Sequence, residues 1–134
     1  MTNGTMLILR GVQNLLHETP AKQYAVTMGY TPEVLNASGE TGLYSAQTNL
    51  AIKRIINGHG DISGIYGFSG GGYNLVHIWA RLGNYQKQIK KIVVLGAPNI
   101  IGYSAFAGCE DVEIFNNPYI AHMLQPDNFL ELNT

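Results

Sequence analysis

Cysteine is nearly absent from this 134-residue chain: Cys109 is the only one. No internal disulfide can form and no CxxC zinc motif exists, so the chain suits a reducing compartment, and the cytoplasm is the expected location. Charge is also sparse, at 13% of residues, with eight basic residues, nine acidic ones and a net charge of −1. Only Lys87, Lys90 and Lys91 lie close together, just before an apolar run. A solvated helix end leading into a strand accounts for them, and nucleic-acid binding is not expected. No apolar stretch approaches the length of a membrane span, and Met6 to Leu9 is interrupted by Arg10, so neither export nor membrane anchoring is expected. No G-x-x-x-x-G-K-[ST] and no G-x-G-x-x-G opens a helix, which removes the specific phosphate-loop signatures. Internal repeats, low-complexity tracts and linkers long enough to separate domains are missing too.

Glycine and apolar residues are plentiful. Sixteen glycines and a hydrophobic fraction of 46% describe one globular domain, long enough to bury roughly two-thirds of the surface its unfolded chain exposes. Five short apolar runs read as strands: Met6 to Leu9, Glu33 to Ala37, Ile62 to Phe68, Lys91 to Leu95 and Val112 to Phe115. Segments of helical period lie between them. Thr19 followed by Pro20 opens the first helix and Gly29 stops it. Ser45 caps the second, whose apolar face is formed by Ala46, Leu50, Ile52, Ile55 and Ile56, with Gly58 closing it. Leu75, Ile78, Trp79 and Leu82 define the third, followed directly by Gly83. After the last strand, Pro118 starts a short helix through about Leu124, and the tail beyond Pro126 is expected to be loosely held.

Continuously apolar strands that alternate with helices imply a parallel sheet covered on both faces, that is, an α/β three-layer sandwich. Right-handed crossovers give the strand order 2-1-3-4-5. The switch point of that order falls between the first and third strands. There the loops Gly11 to Leu16 and Phe68 to Gly72 meet in a crevice at the carboxyl ends, where ligands bind in such sheets.

One motif at this point carries chemistry. Gly67-Phe68-Ser69-Gly70-Gly71 spells G-x-S-x-G between a buried strand and a clear helix. A serine on so sharp a strand-to-helix turn sits in a strained backbone conformation, and residues two before and two after must be small for the turn to close. The expected result is an exposed hydroxyl at a helix N-terminus, with the Gly70 amide positioned to stabilise an oxyanion. A second donor is expected from the loop after the first strand, at Val12 or Gln13.

The segment "GIYGFSGGGYNLVHIWARL" followed by "KKIVVLGAP" resembles the central part of the alpha/beta hydrolase superfamily of lipases and esterases, over about residues 6 to 125. The resemblance implies Ser69 as nucleophile, a small ester, thioester or amide as substrate, and no cofactor or metal. It matches at Ser69 and departs elsewhere. The family's acid is expected just after "VEIF", where this chain has Asn116, Asn117, Pro118 and Tyr119, with no acid until Asp127. The family's two leading strands and its final, histidine-bearing strand have no counterpart, so the resemblance implies a fold trimmed at both ends.

Serine needs a base. His59 precedes the third strand, at the opposite edge from Ser69, and His77 lies two turns into the helix on a flank. His17 follows the first strand near the switch point, and His122 lies beyond the fifth strand on the same carboxyl edge. His122 is the preferred base, a helix-surface histidine being the plain alternative, with Asn117 orienting it in place of an acid, as in Cys-His-Asn arrangements. Asp111, Glu113 and Asp127 are the other acids considered, Asp111 and Glu110 falling on the wrong edge. Phe68, Tyr73, Tyr103, Phe106 and Tyr119 are available to line a pocket, although core packing explains most of them equally well. Any pocket is expected to be shallow, since no insertion forms a lid. The alternatives are a small-ligand-binding module of flavodoxin-like order, with phosphate held at Ser38 to Gly42 and Gly70 to Gly72, and a catalytically degenerate hydrolase fold used for protein interaction. Unpaired outer strands would then favour a homodimer.

Overall fold

The computed structural model of the chain describes residues 3–39, 45–97 and 101–115. Five strands, β1 (Thr5–Leu9), β2 (Thr31–Val34), β3 (Ile62–Phe68), β4 (Lys91–Leu95) and β5 (Val112–Phe115), form one sheet in the order β2-β1-β3-β4-β5. Every neighbouring pair is parallel. Three helices connect them: α1 (Glu18–Thr27), α2 (Ala46–Asn57) and α3 (Gly70–Arg81). The α/β three-layer architecture and the strand order are those implied by the sequence.

The layers follow from the alternation of side chains along each strand. Leu7, Leu9, Ile65, Ile92 and Val94 face one side, where they pack with Ala51 and Ile55 of α2 and Leu75, Ile78 and Trp79 of α3. Met6, Ile8, Tyr66, Phe68, Val93 and Leu95 face the other, against Ala21 and Ala25 of α1. All seven residues of β3 are buried, as its central place in a doubly covered sheet requires. Among the described residues no helix is long and apolar enough to cross a membrane.

Three local expectations are corrected. The second strand occupies Thr31–Val34, earlier than Glu33 to Ala37, because Thr5 to Ile8 of β1 pair with Thr31 to Val34. The first helix begins at Glu18 after His17, so Pro20 sits within the first turn, where a missing amide is harmless. Gly29 follows that helix at φ +88°, the left-handed stop expected of it. The buried face of α2 consists of Gln47, Thr48, Ala51 and Ile55, whereas Leu50 is 44% exposed and Ala46 faces solvent. The N-terminal turn of α2 lies over backbone polar groups at the end of β1, so polar side chains are buried there.

Charge gathers at the amino ends of the strands. Arg54 of α2 bonds Glu33 of β2 at 2.7 and 2.9 Å and Asp61, just before β3, at 2.6 and 3.0 Å. Arg54 holds the Asp61 carboxyl below its ordinary pKa. Buried Lys91 reaches Asp111 at 3.1 Å and Glu113 at 3.4 Å, and Glu113 also accepts a hydrogen bond from Tyr24 of α1. Burial alone would lower the Lys91 ammonium, but the two carboxylates outweigh it and the net shift is upward.

Candidate active site

At the carboxyl end of β3 the chain enters α3 through Ser69, whose φ of 53° and ψ of −117° lie in a region L-residues rarely occupy. The Ser69 amide donates to the Leu95 carbonyl at 2.8 Å, and its own carbonyl accepts from Gly72 at 2.9 Å. These bonds pin the turn to β4 on one side and to the helix on the other. The glycines around it are required by contact. A methyl group added at Gly67 would lie 2.7 Å from the Gly71 carbonyl oxygen and 2.8 Å from Gly72 Cα, so the positions two before and two after the serine press backbone on backbone.

The loop after β1 closes over this turn. A methyl at Gly11 would come within 3.1 Å of Ser69 Cβ, and one at Gly70 within 3.4 Å of the Val12 amide nitrogen. The two loops expected at the switch point therefore meet. Within this loop the Gly11 amide donates to the Leu15 carbonyl, Leu15 to Val12, and Asn14 to Ser38 Oγ. Gly39 donates to the Gly11 carbonyl at 2.9 Å. The amides of Val12 and Gln13 make no such bond among the described residues. Gln13 and Asn14 both adopt left-handed backbone, at φ 56° and 61°, so the turn is tightly wound. Gly70 and Gly71 open α3, where amides have no partner within the helix.

The overhanging loop also corrects one expectation. Ser69 is 9% exposed, so the serine is buried against the loop after β1 and is not lifted into open solvent. Val12, packed against the neighbouring Gly70, is 40% exposed.

The histidines are widely separated. His59 is exposed in the turn before β3, at φ 53°, on the far edge from Ser69. The His77 ring stands edge-on to Tyr73 at 4.9 Å between centroids, and its Nε2 is buried with no hydrogen-bond partner among the described residues. His17 stands edge-on to Phe68, the residue before the serine, at 6.5 Å between centroids. His122, Asn117, Asp127 and the helix starting at Pro118 lie outside the described residues, as does Tyr119. Asp111 and Glu113 are engaged with Lys91 at the amino ends, so they play no role near Ser69. Of the aromatic candidates, Phe68 and Phe106 are core residues, Tyr73 is half-buried, and Tyr103 is exposed on the short 3-10 turn Tyr103–Phe106. Glu40 to Gly42, in the candidate phosphate turn, lie outside the described residues.

One site residue escaped the sequence reading. Gln47 is fully buried; its Oε1 accepts the Arg10 amide at 2.9 Å while its Nε2 donates to the Arg10 carbonyl at 2.9 Å and to Asn74 Oδ1 at 3.1 Å. Its polarity hid it, because a search for an apolar face passes over a glutamine.

No known family model matches the chain, and no curated protein does.

Proposed function

We propose that the protein is a serine hydrolase of esterase or lipase-like character, with Ser69 as nucleophile acting on a small ester, thioester or amide. One contrast carries the reading. Ser45 and Ser69 occupy the same position, one residue before a helix. Ser45, at φ −58° and ψ 152°, accepts from the Thr48 amide, as a capping serine does. Ser69, at φ 53°, makes no capping bond. Its side chain is not committed to the helix, at the point where the Gly11 backbone packs on Ser69 and the Val12 loop packs on Gly70, the placement that a nucleophile and its oxyanion donors need for acyl transfer.

In this reading Ser69 Oγ attacks the substrate carbonyl while the Gly70 amide and the amide of Val12 or Gln13 receive the developing negative charge. A base takes the serine proton and returns it to the leaving group. That role is assigned to His122 with Asn117 orienting it, and His17, against Phe68, is the competing base. Turnover is expected to be slow, since replacing the orienting carboxylate of a triad by its amide lowers kcat about 10⁴-fold.

A fluorophosphonate probe tests the proposal. Labelling of the wild-type protein that disappears in Ser69→Ala supports it; an intact fold that takes no label refutes it. Loss of p-nitrophenyl acetate cleavage in His122→Ala but not in His17→Ala identifies the base.

A further inference from the structure

We infer that Gln47 and Asn74 form a positioning brace that sets the spacing between the two halves of the oxyanion site. This inference rests on the hydrolase reading and names residues that reading does not use.

The need for a brace arises at the end of β1. Hydrogen bonding from β2 continues through the Leu35 amide to the Ile8 carbonyl, and on the other side β3 ends at Phe68 and turns into α3. Arg10, the first residue beyond β1, is left without a neighbouring strand. Buried backbone groups must still be paired. Gln47 supplies the missing partner, its amide group accepting from the Arg10 N–H and donating to the Arg10 carbonyl as a strand would. A methyl at Gly39 would meet the Arg10 oxygen at 2.4 Å and Gln47 Nε2 at 3.0 Å, so the brace is packed as well as bonded.

Pairing Arg10 would be a structural role alone if the bonding ended there. The second Nε2 hydrogen goes to Asn74 Oδ1, so both donors of the glutamine are used. Asn74 is fully buried on α3, five residues after the nucleophile. One side chain is thus bonded to the loop two residues before Val12 and to the helix that carries Ser69 and Gly70. Oxyanion stabilisation depends on where both amides point, and a displacement of about 1 Å can lower a rate by about 100-fold.

The test uses the full-length protein and the variants Gln47→Met, apolar and of similar length, and Asn74→Ala. Expected for Gln47→Met is a fall of about 10- to 100-fold in kcat for p-nitrophenyl acetate and in the rate of fluorophosphonate labelling, with KM changed by less than about twofold. Asn74→Ala, which leaves Arg10 paired, should lose about 3- to 10-fold. Amide hydrogen exchange at Arg10 and Gly39 should quicken in Gln47→Met while Ile65 and Val93 stay protected. Labelling as fast as wild type in either folded variant overturns the inference, as does exchange that quickens throughout the sheet, which would make Gln47 a general stability residue. If Gln47→Met does not fold, Asn74→Ala decides by the same measures. A wild-type protein that takes no label defeats the nucleophile reading itself, an outcome distinct from an unaltered rate in the variants.

Discussion

Replacing Ser69 by glycine should make the protein more stable while removing its reactivity. A non-glycine residue held in a sparsely populated backbone region costs about 1–3 kcal/mol, and Ser69 sits at φ 53°, ψ −117°. Glycine adopts such angles freely but raises the entropy of the unfolded chain, which returns about 0.5–1 kcal/mol. The hydroxyl makes no capping bond, so its removal forfeits no hydrogen bond to the helix. The balance is a gain of about 1 kcal/mol, equivalent to a rise of about 4 °C in Tm for a chain of this size. Ser69→Ala keeps the Cβ and therefore the strain, and should unfold within about 0.5 kcal/mol of wild type. Urea and thermal unfolding followed by circular dichroism measure all three proteins, and the fluorophosphonate probe should label neither variant. Ser69→Gly proving less stable than Ser69→Ala would refute the claim that the turn stores strain.

The glycines of the turn make a second, opposite prediction. Gly67→Ala places a methyl within 3.0 Å of three backbone atoms and should cost about 3 kcal/mol or more, whereas Gly102→Ala, with its nearest contact at 3.8 Å, should stay within about 0.5 kcal/mol; similar urea midpoints for the two would refute the packing argument. At alkaline pH, burial holds the Cys109 thiol and the Tyr24, Tyr30 and Tyr66 hydroxyls above their ordinary pKa values, and the Lys91 ammonium is held up by its carboxylate partners. Each folded-state pKa is raised, so the stability these groups contribute is complete below their unfolded values of 9.0 to 10.5 and is lost as pH rises through the folded ones. Urea midpoints should therefore fall steadily above about pH 9, with tyrosinate absorbance from the buried rings appearing only as the protein unfolds; midpoints flat to about pH 11 would contradict this.

The sheet was readable because its signal is redundant. Ile62 to Phe68, Lys91 to Leu95 and Val112 to Phe115 each follow directly on a charged residue, Asp61, Lys90 and Asp111, and each strand spans those residues. Strand order followed from crossover handedness, and the elbow from a motif of five consecutive residues. Contacts made across the chain were less readable. Nothing near Gln47 in sequence announces that its amide pairs with Arg10, 37 residues away, since a buried polar side chain violates the periodic pattern that marks a helix's inner face. The overhang of Gly11 and Val12 that narrows access to Ser69 is another long-range contact. So is the Lys91 cluster, which joins α1, β4 and β5 through Tyr24 and Glu113. The acid and base roles were the least readable, because the chemistry of a histidine is set by what the fold brings beside it.

Strand order alone does not select a chemistry, since hydrolases and flavodoxin-like ligand-binding sheets share the same switch point. The distinction lies in the peptide units crowded over β1 and β3. A phosphate cradle needs amides and close backbone approach, and a side chain in its midst would only obstruct it. At Gly39, Gly67 and Gly71 an added methyl would meet backbone atoms at 2.7 Å or less, so those positions have no freedom to carry one. Position 69 is different: its backbone angles suit glycine, yet it carries a serine whose hydroxyl does not cap the helix. For a structural turn or a phosphate site the side chain there brings strain with no helix-capping bond in return. For the acyl transfer we propose, it is the one group the site cannot do without.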